Sequence, residues 1–243
     1  MPTPEERAAV THHLVDMLPL DAYYSAAMFE EDALRIASEL FERYGSAVVC
    51  GGSMMYVDAL CNGIDNLPDV PADVRDTLMA NHRALGDEWL LSRLQELDPD
   101  YYLRVDLKNI KRVFHAVEIS LTAGRPYSSL LTGRRRQRPF AIEKYHIEMP
   151  REMLFDRINR RVDAMVADGL EEEARSVYPL RGLNSLNTVG LKEMFAWFDG
   201  AMDRHTAIER IKKNTRVYAK KQLTWLKRGS DTTPLSPGQL PPL

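Results

Sequence analysis

Metal-binding and disulfide-forming residues are scarce in this 243-residue sequence. The two cysteines, Cys50 and Cys61, are too few for a disulfide framework and indicate a reducing compartment. The six histidines show no spacing typical of metal ligands. No apolar run approaches the ~20 residues that a membrane-spanning helix needs, and no signal-peptide pattern is present. We therefore expect a cytoplasmic protein with no membrane partner.

A phosphate-binding loop with its lysine is also lacking. Residues 47–60, AVVCGGSMMYVDAL, combine a short apolar stretch, a glycine pair and the start of a helix, which are the parts of an anion-binding helix N-terminus. However, no lysine follows the glycines, and the pattern G-x-x-x-x-G-K-[ST] occurs nowhere in the sequence. The residues alone leave open where a nucleotide-type core of this kind would hold a phosphate.

Apolar segments and a helix alternate near the N-terminus. Residues 12–18 (HHLVDML) and 47–50 (AVVC) are predicted as buried strands, and residues 25–45 between them as a helix with a serine cap and a glycine stop. A strand, a helix and a strand in this order imply a parallel pair with a right-handed crossover. Residues 144–149 (KYHIEM) are predicted as a third strand. The sequence therefore indicates the α/β fold class.

Helices alone are predicted in the middle of the chain, which suggests a division into domains. We assign residues 1–60 and 139–229 to an α/β core, and residues 61–138 to a mostly helical insertion. Residues 230–243 are rich in Pro, Ser and Thr and are predicted to be a flexible tail. The helices predicted after the first one span residues 71–85, 87–97, 109–123, 151–168, 170–178, 190–198 and 204–228.

Basic residues cluster in three distant parts of the chain. In the predicted helix 204–228, three of them recur every four residues, and the helix holds a single acid. The predicted helix 109–123 begins with the string NIKR, and the loop at residues 132–140 has four arginines in five residues. Such elements are the usual footprint of nucleic-acid backbone binding, and we predict that they line one groove. The residues concerned are Lys108, Lys111, Arg112, His115, Arg134, Arg135, Arg136, Arg138, Lys212, Arg216 and Lys220.

Two further arginines share one face of the predicted helix 151–168. Arg157 and Arg161 are four residues apart, while the apolar positions of this helix face the core. The planar fork of an arginine suits a diphosphate. A surface salt bridge to Glu171 or Glu172 explains the same pattern equally well, and the spacing does not decide between the two.

Six strings occur in a fixed order across nearly the whole chain: PTPEERAAVTHHLVDML, GGSMMY, KNIKRVFHAVEISLTAGRP, RINRRVDAMVADGLEEEA, NTVGLKE and NTRVYAKKQLTW. Together they resemble the tRNA dimethylallyltransferases, also called tRNA isopentenyltransferases. The resemblance implies a P-loop NTPase-like parallel sheet core with a helical insertion domain. It implies transfer of the dimethylallyl group of dimethylallyl diphosphate to the exocyclic amine of the adenosine 3′ of the anticodon. The implied partners are the tRNA anticodon stem-loop and this diphosphate, and the implied cofactor is Mg²⁺.

The resemblance also implies roles for individual residues. Arg161 falls on the arginine that engages the diphosphate, and the GGS turn falls on a turn whose third residue, here Ser53, lies against the tRNA. Arg75 falls on an arginine that contacts tRNA. Leu191 stands where the family commonly has a tyrosine. The other residues that the resemblance places at the tRNA are Lys111, Arg112, Val113, Phe114, His115, Asn187, Thr188, Val189, Gly190, Leu191, Lys192, Asn214, Thr215, Arg216, Tyr218, Lys220, Lys221 and Gln222.

By the same resemblance, the phosphate loop and a D-S-x-Q stretch with the general base would lie upstream of the segment that Met1 begins. We therefore expect an incomplete P-loop-type core and a chain that is catalytically silent by itself. Two alternatives to an enzyme are an inactive relative that binds tRNA without modifying it and a truncated fragment. A small-molecule kinase with the same core is less favoured, because it would not need the three basic elements.

Overall fold

The computed structural model describes residues 3–228 and 231–239. These residues are mostly helical with a small parallel sheet, and the predicted α/β class is confirmed. The strands are β1 (Lys144–Ile147) and β2 (Thr232–Leu235). The helices are α1 (Pro4–Ala9), α2 (Ala26–Tyr44), α3 (Met54–Asn62), α4 (Ala72–Leu97), α5 (Pro99–Tyr102), α6 (Ile110–Ala123), α7 (Arg151–Ala167), α8 (Leu170–Val177), α9 (Leu191–Phe198) and α10 (Arg204–Leu226). No helix in the described ranges is both long and apolar enough to cross a membrane.

The chain divides into two compact units. The core unit comprises Met1–Val57 and Pro139–Leu243, and the insertion unit comprises Asp58–Arg138. The first boundary follows residue 57, where the sequence predicts residue 60, and the second follows residue 138 in both cases. Each candidate site residue therefore belongs to one of these two units.

The sheet of the core unit is built from β1 and β2. They pair in parallel, with Lys144 opposite Thr232 and Ile147 opposite Leu235. Leu235 is buried, and the Lys144 ammonium donates a hydrogen bond of 2.6 Å to Asp231. The structure thus differs from the predicted flexible tail, because ladder hydrogen bonds and one buried leucine hold residues 232–235 in place. Residues 230 and 240–243 of that tail lie outside the described residues.

Two predicted strands are not formed within the described ranges. Residues 12–18 are irregular, and Leu14 and Asp16 have positive φ angles of 59° and 54°. Residues 47–50 are irregular as well, and Val48 and Val49 are exposed. A strand needs a neighbour that exchanges backbone hydrogen bonds with it, and no described segment pairs with either stretch. Both strand predictions, and the parallel pair built on them, are therefore wrong for this structure.

Helix packing forms the hydrophobic core of the core unit. Val162 of α7, Leu170 and Ala174 of α8, Met194 and Phe195 of α9 and Ile211 of α10 are buried together with Leu186. Full burial of one side chain of valine size or larger stabilises a fold by roughly 1.5–3 kcal/mol. This cluster fixes α7 and α10, which carry most of the predicted site residues of the unit.

In the insertion unit, α4 packs against α6. Gly86 has a φ of 80° and breaks α4 at the point where the sequence predicts two helices, 71–85 and 87–97. The buried cluster comprises Leu78, Leu90, Leu94, Val113, Ala116 and Val117. Asp98 is fully buried and accepts hydrogen bonds from the backbone N–H of Tyr101 and from both the N–H and the hydroxyl of Ser128. Its charge is thus satisfied, as a buried carboxylate requires.

Candidate functional site

The GGS turn of the core unit is attached to α10. The carbonyl oxygen of Gly52 accepts hydrogen bonds from the hydroxyl of Tyr218 at 3.1 Å and from the side-chain amide of Gln222 at 2.8 Å. A Cβ atom on Gly52 would overlap the Gln222 amide nitrogen, so a larger residue there would push aside the end of this flexible side chain. Ser53 follows directly, and its carbonyl accepts the N–H of Val57 at the start of α3. The turn and the helix, which the sequence assigns separately to tRNA contact, therefore meet.

A buried glutamate joins a second loop to the same helix. Glu193 accepts hydrogen bonds from the N–H of Gly190 at 2.8 Å and from the side-chain amide of Asn214 at 2.7 Å. Lys192 lies 3.7 Å from its carboxylate. Sequence reasoning missed Glu193, although a glutamate three residues after a helix N-cap position is the signal of a capping box. Glu193 thereby anchors residues 187–192 on α10.

The remaining predicted residues of these two segments differ in their access to solvent. Asn187, Thr188 and Lys192 are accessible to solvent, whereas Gly190 is buried and Val189 and Leu191 pack against the hydrophobic core. On α10, Thr215 is half-buried and its hydroxyl donates to the carbonyl of Ile211. The loop thus offers a partner its polar side chains, while its apolar ones hold it on the core.

The basic residues spaced by four on α10 face α7. Lys212 donates to Asp163 at 2.8 Å, Arg216 donates to Asn159 at 2.5 Å, and the Lys220 ammonium lies 5.6 Å from the ring centre of Phe155. The partners on α7 are also four residues apart and run in the opposite direction, so the two rows match along the seam. Lys212 donates to Glu209 as well. The hydrogen bonds to Asp163 and then Glu209 raise the pKa of Lys212.

A different row of α10 faces solvent. Arg210, Lys213 and Lys221 are accessible there, and Arg228 lies two residues beyond the end of the helix; none of the four forms an ion pair with a carboxylate in the described part of the chain. Only Lys221 among them is a predicted contact residue. The other three were not predicted, because the spacing of four residues drew attention to the row that faces α7. We call these four residues the outer basic row, and they are available to an anionic partner.

The two arginines predicted for the diphosphate lie on the surface of α7. Arg157 and Arg161 have no hydrogen-bond or ion-pair partner among residues 3–228 and 231–239. The salt bridge to Glu171 or Glu172 that the spacing also allows is not formed within the described ranges, and Glu171 instead accepts from Arg175 at 3.2 Å and Arg204 at 3.1 Å. Burial would raise the pKa of Glu171, but the hydrogen bonds from Arg204 and Arg175 lower it overall. Arg161 is therefore free to bind an anion.

In the insertion unit, one carboxylate holds two predicted tRNA-contact residues. Glu118 is buried and accepts hydrogen bonds of 3.0 Å from Arg75 Nε and from His115 Nδ1. Burial alone would raise the pKa of Glu118, but the hydrogen bonds from His115 and Arg75 and the Arg75 charge outweigh it and lower the pKa. Sequence reasoning did not single out Glu118. We call Arg75, His115 and Glu118 the Glu118 cluster.

The rest of the predicted string on α6 is divided between surface and core. Lys111 and Arg112 are exposed, without an ion-pair partner among the described residues. Val113 is fully buried and Phe114 half-buried in the hydrophobic cluster. The side chain of Val113 therefore cannot reach a partner, because its place in the string is on the inner face of the helix.

The basic loop at residues 132–140 also has two kinds of arginine. Arg138 donates to the carbonyls of Leu60 and Ala59, both at 2.7 Å, and so satisfies the C-terminal end of α3. The stem of Arg136 packs on Gly63, where a Cβ would lie 2.6 Å from Arg136 Cδ. Arg134 and Arg135 are exposed and line a cleft of about 360 Å³. Of these four arginines, Arg134 and Arg135 are the two that are exposed and whose side chains make no described contact that supports the fold.

Comparison with known proteins identifies the family. A family model described as IPP transferase matches residues 1–229. The chain belongs to the IPP transferase family. It is 52% identical over 229 residues to a tRNA dimethylallyltransferase 2 of Porphyromonas gingivalis, covering 94% of this chain and 76% of the relative.

Solved structures of this family have the same fold. A tRNA isopentenylpyrophosphate transferase of Bacillus halodurans is 34% identical, with a TM-score of 0.64, and the match covers 97% of this chain and 74% of that one. A eukaryotic dimethylallyltransferase acting on tRNA is 21% identical, with a TM-score of 0.74 and coverage of 96% and 62%. The resemblance of the six strings to the tRNA dimethylallyltransferases is confirmed by the family model and by these relatives.

A metal site made by protein side chains alone is not present in the described part of this IPP transferase. No group of three or more His, Cys, Asp or Glu side chains there is placed to hold a metal ion. Mg²⁺ commonly takes one or two carboxylates and completes its shell with phosphate oxygens and water. The described residues therefore do not fit a site for Mg²⁺ without such phosphates, and no step is assigned to the ion.

Proposed function

We propose that the chain transfers the dimethylallyl group of dimethylallyl diphosphate to the exocyclic amine of the adenosine 3′ of the tRNA anticodon. The observation that carries the proposal is the convergence of two loops on α10. The turn next to Ser53 and the loop 187–192 are separate in sequence, and both are hydrogen-bonded to this one helix. The names of the family's members, which refer to dimethylallyl transfer and to tRNA, support the same conclusion.

The reaction explains why arginine is needed. The carbon–oxygen bond of the donor breaks and a carbon–nitrogen bond to the adenosine forms, so negative charge develops on the departing diphosphate, and the proton lost by the amine passes to water or to that diphosphate. A guanidinium placed at the departing oxygens stabilises that charge more strongly in the transition state than in the bound donor. Arg161 is uncommitted, and we assign it this role.

The basic surfaces suit an RNA partner with an accessible loop. The outer basic row, Lys111, Arg112 and the Glu118 cluster offer cationic or hydrogen-bonding groups that contact phosphates. A base in a single-stranded loop is cheaper to unstack than one in a duplex, and the adenosine must leave its stack to react. We therefore propose the anticodon stem-loop as the part of tRNA that is bound, and the cytoplasm stays the predicted location.

A transfer assay tests the proposed function. Purified protein is incubated with tRNA, Mg²⁺ and radiolabelled dimethylallyl diphosphate, and binding of the same tRNA is measured in parallel. Mg²⁺ is included because the diphosphate brings oxygens that it prefers. Label transferred to tRNA supports the proposal. Binding of tRNA without transfer would contradict it and would support the alternative of an inactive relative that binds tRNA.

A further inference from the structure

The cleft in the insertion unit has an apolar floor beside two uncommitted arginines. Ile64, Leu67, Tyr127 and Leu131 contribute the apolar and aromatic surface, and Arg134 and Arg135 line the same cleft. Its volume of about 360 Å³ is at the lower end of the roughly 300–1,000 Å³ typical of pockets for small ligands. The cleft thus combines a surface for a flat, apolar group with positive charge for an anion.

The loop that bears these arginines is fixed by an acid. Asp65 accepts hydrogen bonds from the N–H of Thr132 at 2.9 Å and from its hydroxyl at 2.5 Å. The hydroxyl bond is the main reason that the pKa of Asp65 is lowered. Asp65 is the one acid among the described residues that line the cleft, and its Oδ1 is already occupied. Two arginines against one committed carboxylate leave the lining of the cleft with a net positive charge.

One residue that lines the cleft, Tyr127, contacts the Glu118 cluster. The ring of Tyr127 makes edge-to-face contacts with His115 at 5.7 Å and with Tyr101 at 4.9 Å between ring centres. Burial raises the pKa of Tyr127, so the ring stays neutral. A ligand on Tyr127 would therefore lie next to His115, a residue assigned to tRNA contact.

We infer that this cleft binds one unstacked nucleotide of the RNA, with its base against Tyr127 and Leu131 and its phosphate between Arg134 and Arg135. This inference rests on the proposed function, because the RNA is the tRNA loop that the protein modifies. Aromatic and apolar surfaces bind the faces of splayed bases, and arginine forks bind phosphates. Both kinds of surface line this one cleft.

The test uses the full chain and a synthetic anticodon stem-loop with 2-aminopurine at one loop position at a time. Two changes alter the cleft, Leu131→Ser and the pair Arg134→Ala with Arg135→Ala. Both sites are exposed, so the fold should persist. The matched control is Arg83→Ala with Arg104→Ala, which removes the same charge from exposed positions elsewhere in the insertion unit.

For the parent, we expect a fluorescence change at one loop position on binding. Both cleft variants should lose it. The double arginine variant should also bind the RNA roughly tenfold more weakly at moderate salt. The slope of log K against log salt should fall by about 0.7 for each phosphate that is no longer neutralised. The control should keep the fluorescence change.

Other outcomes would overturn the inference in distinct ways. Cleft variants that behave like the control would show that no nucleotide of the RNA enters the cleft. Loss of prenyl transfer with unchanged RNA binding would assign the cleft to the donor diphosphate. Saturable binding of free adenosine monophosphate that the arginine variants abolish, with RNA affinity unchanged, would assign it to a free nucleotide. A parent that binds RNA in the cleft without transferring label would refute the proposed function only.

Discussion

The side-chain amide of Gln222 donates a hydrogen bond of 2.8 Å to the carbonyl oxygen of Gly52. These residues are 170 positions apart in the sequence, and their contact connects the turn before α3 to α10. Tyr218, one helical turn earlier on α10, donates to the same oxygen. The position of Ser53 is therefore determined by the last helix of the core unit.

Replacement by alanine should have different effects at the two glycines of this turn. Gly52→Ala places a Cβ against the Gln222 amide and should displace it, whereas a Cβ at Gly51 meets nothing within 4 Å. We expect Gly52→Ala to lower prenyl transfer by roughly tenfold or more, since small displacements of positioning groups are costly. Gly51→Ala serves as the matched control. Equal transfer rates for both variants would show that the position of this turn does not affect the reaction.

Glu118→Gln should weaken tRNA binding without removing either contact residue. The amide lacks the charge that holds Arg75 and His115, and we expect the free energy of unfolding to fall by about 2 kcal/mol. Binding of the anticodon stem-loop should weaken because both side chains gain freedom. Calorimetry and RNA titration measure the two effects, and unchanged RNA affinity would show that the cluster only stabilises the fold.

The same carboxylate predicts a dependence of stability on acid. The pKa of Glu118 in the folded protein is lowered below its ordinary value of 4.5. Its contribution to the free energy of unfolding is therefore complete above about pH 4.5 and is lost as the pH falls through the lower, folded value. Urea unfolding at a series of pH values should show a smaller loss on acidification for Glu118→Gln than for the parent. Parallel curves would contradict the lowered pKa.

Glu193 is predicted to couple the loop 187–192 to α10. Glu193→Ala leaves the buried Gly190 N–H and the half-buried Asn214 amide without their acceptor, and a buried donor left unpaired costs about 1–3 kcal/mol. We expect a lower melting temperature together with slower prenyl transfer. Glu172→Ala on the exposed surface of α8 is the control and should change neither quantity. Wild-type transfer by a destabilised Glu193→Ala would mean that the loop position is not needed for the reaction.

The two basic rows of α10 should respond differently to charge removal. Lys212 faces α7 and pairs with Asp163, so Lys212→Ala should lower the free energy of unfolding by up to about 1 kcal/mol and leave the salt dependence of tRNA binding unchanged. Lys213→Ala and Lys221→Ala, in the outer basic row, should leave stability unchanged. Each should lower the slope of log K against log salt by about 0.7–0.9. A lower salt slope for Lys212→Ala, with unchanged slopes for Lys213→Ala and Lys221→Ala, would place the RNA on the side of α10 that faces α7.

Arg161 and Arg160 are adjacent surface arginines that test the diphosphate assignment. Arg161 has no partner in the described ranges, while Arg160 donates to Asp156 at 2.6 Å. Arg161→Ala should lower prenyl transfer by roughly 10²–10³-fold, the usual cost of losing one group that stabilises transition-state charge. Binding of tRNA should persist, and Arg160→Ala should leave transfer unchanged. A loss confined to tRNA affinity would make Arg161 a phosphate contact of the RNA.

Local features of the fold could be predicted from the sequence. Ser25 caps α2 and accepts the N–H of Met28, Asn109 caps α6, and Gly45 ends α2 with a φ of 75°. Gly86 interrupts α4 where the sequence predicts a break. Caps, stops and apolar spacing are properties of a few neighbouring residues, so they are visible without the fold.

The sequence by itself determined most of the longer helices, the order of the family's strings and the candidate residues Ser53, Arg161 and Gln222, whereas the short helices α1 and α5 were not predicted. Only the tertiary structure decided which of them have partners. Arg75 and Glu118 are 43 positions apart, and Glu193 and Asn214 are 21 positions apart. Periodicity also could not show which basic row of α10 meets α7, or that β1 pairs with residues 232–235. The physical reason is that hydrogen bonds, ion pairs and strand pairing depend on distance in space, which the chain sets only after it has folded.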